Sequence, residues 1–323
     1  MRNYIIRRVL INIPVIWLVA TMVFFAANVL PGDFVAQRIA IQNPVSNDPT
    51  QWEAQLDAVR RDLGLDKPVL QRYFIYLGDL LRGDLGESYE TRRPAMDGFI
   101  DGLPYTLQLS VMTLIVAVVT SIPIGVVSAI RQDTWVDYIL RVVAITALAA
   151  PNFWVATMML IYVVRLDLWT VPLTSSPLLW ESPMESLKLF IIPAIAGGLA
   201  TGASVMRLLR STMLEVLRQD YIRTAWAKGL RERYVVMRHA LKNALIPVVT
   251  VLGLSVATLI SGNVVFEYIF NIPGVGNRVL RAINARDVPV LQSFVLLLAT
   301  SVVFVNLAVD LLYGVLDPRI RYA

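Results

Sequence analysis

Asp220-Tyr221-Ile222-Arg223-Thr224-Ala225-Trp226-Ala227-Lys228-Gly229 is a short polar stretch set between long apolar runs. Asp220 suits a helix N-cap, where a carboxylate accepts orphan amides at the positive end of the dipole. Lys228 suits the negative end, and Gly229 can take the left-handed conformation that stops a helix. Two turns of helix are too short to stand alone in water, so the chain itself or a partner must hold them. Around this stretch Arg218, Arg223, Lys228, Arg231, Arg233, Arg238 and Lys242 face only Asp220 and Glu232. Each charge would cost roughly 2.5 to 3.5 kcal/mol at a bilayer centre, so the segment lies in water.

The rest of the chain wants lipid. Hydrophobic residues make up 56% of the 323, mean hydropathy is +0.61, and several runs reach the ~18 to 20 residues needed to span. Spans are expected at about Val9 to Leu30, Pro104 to Ile130, Tyr138 to Val164, Leu189 to Met213, Leu245 to Phe266 and Val290 to Leu312. The fold class is therefore an all-α membrane protein of about six transmembrane helices. The net charge of +5 is concentrated in connections, which reads as membrane orientation rather than nucleic-acid binding. Arg2, Arg7 and Arg8 precede a first apolar run too long for a cleaved signal, so both termini are expected in the cytoplasm.

This gives residues 1–30 as tip and first span, 31–103 as an extracytoplasmic helical insert, 104–312 as a five-helix core, and 313–323 as a cytoplasmic tail. Within the core, 214–243 is a cytoplasmic loop. In the insert, Thr50 and Glu53 form a capping box, and Trp52, Leu56, Val59 and Leu63 make an apolar stripe. A second insert helix is expected from near Asp66 to Gly83, with Leu70, Tyr73, Phe74, Leu77 and Leu81 pointing inward. Two short helices make a poor independent core, so the insert is expected to pack on the outer membrane surface.

Catalytic equipment is missing. The chain has no cysteine and one histidine, His239, which excludes thiolate metal sites, cysteine nucleophiles and a zinc cluster. No phosphate-binding Gly-x-x-x-x-Gly-Lys-Ser/Thr loop occurs, and no cofactor is expected. Intramembrane polar residues are sparse: Asn28, Asn152, Ser255, Thr258, Asn263, Asn306 and Asp310. Asn152, Ser255, Thr258 and Asn263 are candidates for a translocation path, because lipid cannot hydrogen-bond them. Ser255, Thr258 and Gly262 share a helical face, which fits either a path lining or close helix packing. A self-sufficient secondary transporter or channel would need more intramembrane carboxylates, and an intramembrane enzyme a nucleophile with its base.

After the short helix, Tyr234, Met237 and Leu241 form an apolar stripe ahead of Asn243 and Pro247. A structured helix pair in the cytoplasm, on a permease without an engine, suggests a docking site for a soluble motor. Arg223-Thr224-Ala225, then Gly229, then His239-Ala240-Leu241-Lys242 resembles the EAA loop of permease subunits of binding-protein-dependent ATP-binding-cassette importers. Arg223 and Thr224 replace Glu and Ala, and Lys242 replaces Pro, substitutions typical of the dipeptide, oligopeptide and nickel branch; Trp226 is less usual there. The similarity continues through Pro31-Gly32-Asp33, Leu63-Gly64-Leu65-Asp66-Lys67-Pro68, Leu81-Arg82-Gly83-Asp84-Leu85-Gly86, Pro273-Gly274-Val275-Gly276 and Asp317-Pro318-Arg319-Ile320-Arg321-Tyr322. An insert after the first span is similar to the B-type subunit of that branch.

The resemblance implies the type I importer permease fold in a bacterial or archaeal inner membrane. It implies a homologous permease partner, two ATPase subunits and an extracytoplasmic solute-binding protein, with the ATPase expected to grip Asp220, Tyr221, Thr224, Ala225, Lys228, Gly229 and Leu230. It leaves the solute open among dipeptides, longer peptides, glutathione, nickel complexes and oligosaccharides.

Overall fold

The computed structural model describes residues 2–29 and 64–316, together with 53–54, 57–58 and 60–61. The Thr50/Glu53 capping box, the Trp52 to Leu63 stripe, and the Pro31-Gly32-Asp33 and Asp317 to Tyr322 motifs fall wholly or partly outside the described residues. The helices are α1 (Arg2–Val29), α2 (Val69–Leu81), α3 (Ala95–Ile130), α4 (Trp135–Ala149), α5 (Asn152–Arg165), α6 (Pro183–Leu217) and α7 (Asp220–Ala227). After a single turn at Glu232–Tyr234 and a π-helical segment at Val235–Ala240 come α8 (Leu241–Gly262), α9 (Val264–Ile269), α10 (Val275–Asn284) and α11 (Val288–Leu316). Among the described residues no β-strand occurs beyond an isolated bridge between Glu87 and Pro94.

Among the described residues five helical stretches are long and apolar enough to cross a membrane, and α4 with α5 makes a sixth if the bent pair is one span. That pair corrects the expectation of one continuous helix from Tyr138 to Val164. The chain bends by 99° between α4 and α5. Pro151 has no amide to donate and pushes Ala150 into extended backbone (φ −78°, ψ 133°), so α4 must end there. The expected fifth span also stops early: α8 ends at Gly262, and Asn263 separates it from α9.

The chain divides into two compact units. The first comprises Met1–Ile5, Leu103–Asn277 and Ser301–Ala323. Its centre is α6, which packs against α4, α5 and α8. Ala194, Ala196, Ala200 and Ala203 on α6 are buried, and such small side chains let helix backbones approach closely where lipid gives no hydrophobic drive. One apolar cluster gathers Leu109, Leu189, Phe190, Phe266 and Phe270. Another gathers Leu209, Met213, Ile222, Val235 and Ala244.

The second unit comprises Ile6–Gly102 and Arg278–Thr300. Here α2 lies against the C-terminal part of α1, with the Tyr73 hydroxyl 2.8 Å from Thr21 Oγ1 and its ring 5.4 Å from that of Phe24. The expected inward face of α2 is corrected: Tyr73 is buried, whereas Leu70, Phe74 and Leu81 are exposed. Its tyrosines Tyr73 and Tyr76 turn toward the Phe24 ring of α1, and Leu70, Phe74 and Leu81 turn away. Elsewhere in this unit Asp287 is buried and accepts from Ser88 Oγ at 2.5 Å and the Tyr89 amide at 3.1 Å.

Candidate coupling surface

The helix α7 has two unlike faces. Ile222 is fully buried and Ala225 nearly so, in a socket built from Val126 and Ala129 of α3, Leu209 and Met213 of α6, and Val235, Val236 and Ala240 of the π-helical segment. Burying an isoleucine side chain contributes roughly 1.5–3 kcal/mol, enough to hold two turns that would melt in isolation. The small side chain of Ala225 thus serves close packing inside the chain. The opposite face carries Asp220, Arg223, Thr224 and Ala227, all exposed, while Tyr221 and Trp226 flank the buried side, partly exposed, and Leu230 follows the Gly229 turn.

Hydrogen bonds fix the helix at both ends. Asn243 Nδ2 donates to the Tyr221 hydroxyl at 2.8 Å, joining α7 to the start of α8. Gly229 has φ +77°, and its amide donates to the Trp226 carbonyl at 2.9 Å while that of Leu230 reaches the Ala225 carbonyl at 3.4 Å. This is the left-handed stop the sequence calls for, and a Cβ on Gly229 would meet nothing within 4 Å. Lys228, in the last turn, donates its amide to the Thr224 carbonyl at 3.1 Å.

Two expectations about this region are corrected. Gln219, not Asp220, occupies the cap position, and Asp220 makes no capping bond. Its backbone is already helical, so its carboxylate lies beyond the orphan amides, 97% exposed and 3.5 Å from Arg223. The stripe Tyr234, Met237 and Leu241 splits, because the π-helical turn changes the register. Leu241 is buried with Val235, Val236 and Ala240, while Tyr234 and Met237 are exposed. They border an open groove with Arg231, Arg233, Arg238 and Lys242, and the Arg238 guanidinium stands 5.6 Å from the Tyr234 ring. His239 meets the same ring edge-on at 5.6 Å.

The path candidates do not form a cluster of their own. Asn152 is exposed at the start of α5. The hydroxyls of Ser255 and Thr258 bond back to the Val251 and Leu254 carbonyls of their own helix. Asn263 is 2% exposed and donates to Ser110 Oγ at 2.9 Å, so it pins the α8–α9 junction to α3.

The sequence reading missed two buried knots. Asp137 on α4 accepts two bonds from Arg210 of α6, Nε to Oδ1 at 2.8 Å and a terminal nitrogen to Oδ2 at 2.7 Å, with Ser128 donating at 2.5 Å. Glu267 on α9 accepts from Thr106 Oγ1 at 2.6 Å and the Asn277 amide at 2.9 Å. Burial pushes its carboxyl above the usual carboxylate range, against the pull of those donors. The only sequence signal for the second knot was the Pro273-Gly274-Val275-Gly276 turn, whose glycines leave room for the carboxylate.

Residues 121–322 match the family described as binding-protein-dependent transport system inner membrane component, and residues 1–110 match the N-terminal region of such membrane components. The dipeptide transport system permease protein DppB of Alkalihalophilus pseudofirmus is 39% identical over 342 residues, with 100% of each chain covered. DppB of Escherichia coli strain K12 is 39% identical over 345 residues, covering 100% of this chain and 99% of the relative. The glutathione transport system permease protein GsiC of Escherichia coli O6:H1 is 35% identical over 322 residues, again with 100% of each covered. These are transport subunits and not enzymes, which accords with a chain that carries no catalytic motif. Full-length similarity, matched family regions and a bundle of apolar helices agree: this chain belongs to the inner-membrane permeases of binding-protein-dependent ATP-binding-cassette importers, in their dipeptide branch.

Proposed function

We propose that this chain pairs with a homologous permease to form the path of a short-peptide importer, and that α7 with its Gly229 turn receives the stroke of a separate ATPase subunit. The observation that carries this reading is the two-faced α7. Its inner side is anchored by Ile222 and Ala225 in the chain's own core, and its outer side presents Asp220, Arg223, Thr224 and Ala227, with Tyr221 and Trp226 at its flanks. A helix anchored that way moves as one piece with α3, α6 and α8, so a push on its exposed side is delivered to the spans. The neighbouring groove with Arg231, Arg233, Arg238 and Lys242 offers positive charge to an acidic partner surface. This orientation puts α7 and both termini in the cytoplasm, the 31–103 insert outside, and a solute-binding protein at that outer face.

A short peptide as solute follows the relatives, which are permeases of dipeptide and glutathione systems. A self-sufficient carrier finds no support in the carboxylates. Among the described residues the buried ones are Asp137, Glu267 and Asp287, and each is tied by several hydrogen bonds at a helix end or junction. The testing experiment is Gly229→Asp in the reconstituted importer with its ATPases and binding protein. Aspartate visits the left-handed region at a modest strain and its Cβ would meet no atom within 4 Å, so the subunit inserts and assembles, while ATP hydrolysis no longer drives uptake. Normal ATP-dependent uptake by that variant rejects the assignment.

A further inference from the structure

We propose that α2 is an interfacial helix whose stripe of Leu70, Phe74, Leu77 and Leu81 is seated in the acyl region of the lipid leaflet at the C-terminal end of α1. At about 100° per residue these side chains fall along one line of the helix, with no charged residue among them. Leu70 is 64% exposed, Phe74 63% and Leu81 90%. That much aliphatic and aromatic surface in contact with water is costly, roughly 25 cal/mol for each Å².

The position of α2 identifies lipid as what covers it. Its anchor is on α1, a spanning helix whose apolar run is Leu10–Asn28. The Tyr73 hydroxyl meets Thr21, and Tyr73 and Tyr76 each stand 5.4 Å from the Phe24 ring. Thr21 lies about 10 Å along the helix axis from Asn28, so the anchor is below the end of the apolar run and within its leaflet. On α1 itself Trp17, Leu18, Met22 and Phe25 are exposed, as side chains facing acyl chains would be. The exposed stripe of α2 therefore lies level with apolar α1 surface that the bilayer already covers.

The polar side of the helix agrees with this placement. Arg72 and Asp79 fall on the side away from the leucine stripe, and the exposed charges Lys67 and Arg82 stand just beyond the two ends. Long basic side chains at such ends reach the headgroups while their stems stay in the apolar layer. The inference needs only that α1 spans the membrane, and it is independent of the solute and of the ATPase partner.

The chain has no cysteine, so Phe74→Cys, Leu81→Cys and, as reference, Gln71→Cys can each carry a single nitroxide in the full permease complex reconstituted into phosphatidylcholine–phosphatidylglycerol vesicles. Labels at 74 and 81 are expected to relax with dissolved oxygen and to lose relaxation by an aqueous nickel chelate, whereas a label at 71 responds to the chelate. Bromine-substituted acyl chains should quench a fluorophore placed at 74 or 81 and leave one at 71 bright. Access of the chelate at 74 and 81 overturns the proposal by placing the stripe in water. Shielding of those positions from oxygen, chelate and bromolipid alike overturns it by placing them against a protein.

Discussion

The carboxylate of Glu267 fills the space that a side chain on Gly274 would need: a Cβ built there lies 2.5 Å from each of its oxygens. The two residues are a single device. Glu267 descends from α9, the chain reverses through Pro273 and Gly274, and the amides opening α10 close over the carboxylate.

Gly274→Ala is therefore expected to overpack the turn and destabilise the subunit by about 1–3 kcal/mol. Thermal unfolding in detergent measures this. Glu267→Ala added to Gly274→Ala should recover part of the loss, because the glutamate substitution removes the obstructing carboxylate; equal or deeper destabilisation of the pair would count against the device.

The same carboxylate has a pH signature. Its folded-state pKa lies above the ordinary 4.5 because burial disfavours the charged form. A raised acid binds its proton more tightly when folded, so its contribution is fully present below the unfolded pKa and is lost as pH rises through the folded one. Melting temperature against pH should fall across that interval, and Glu267→Gln should flatten the slope.

Arg210→Leu removes the two-bond partner of a carboxylate with no solvent exposure and leaves it Arg141 Nε at 3.5 Å. Breaking this buried pair is expected to cost about 3–5 kcal/mol, whereas Asp137→Asn with Arg210→Leu should cost clearly less than the two single losses combined. A double-mutant cycle on unfolding midpoints decides it.

The faces of α7 should respond differently. Ile222→Ala empties a buried site and is expected to cost about 2–5 kcal/mol of subunit stability. Arg223→Ala touches the exposed face, where that side chain is 70% exposed, and should change stability by less than about 0.5 kcal/mol, while lowering ATPase-linked uptake in the assembled importer. Melting curves and transport, measured on both variants, separate anchor from contact surface.

Much of this was legible in the residues. The apolar runs located the spanning helices, though not the bend within the Tyr138 to Val164 run, since hydropathy registers the cost of charge in lipid and needs no knowledge of neighbours. The Gly229 stop was legible because a left-handed φ is a local requirement. Where the sequence misled, it did so through direction. Periodicity groups Leu70, Phe74 and Leu81 with Tyr73 on one apolar side of α2 without showing what covers each part of it, and the Tyr234, Met237, Leu241 stripe holds only for an unbroken α-helical register. Asn263 is a path candidate because it is polar within an apolar run, and what the run does not show is its partner on another helix, Ser110.

The order of residues by itself determined that the chain is helical, membrane-spanning, without catalytic equipment, and marked by one short basic excursion from lipid, because these follow from local transfer energies and backbone preferences. Only the tertiary structure decided which side of α7 is anchored, that α4 and α5 bend by 99°, and that Asp137 meets Arg210 and Glu267 meets Gly276 and Asn277. Those depend on which helices are neighbours, and adjacency in a bundle is set by packing among segments far apart in the chain, which no local pattern encodes.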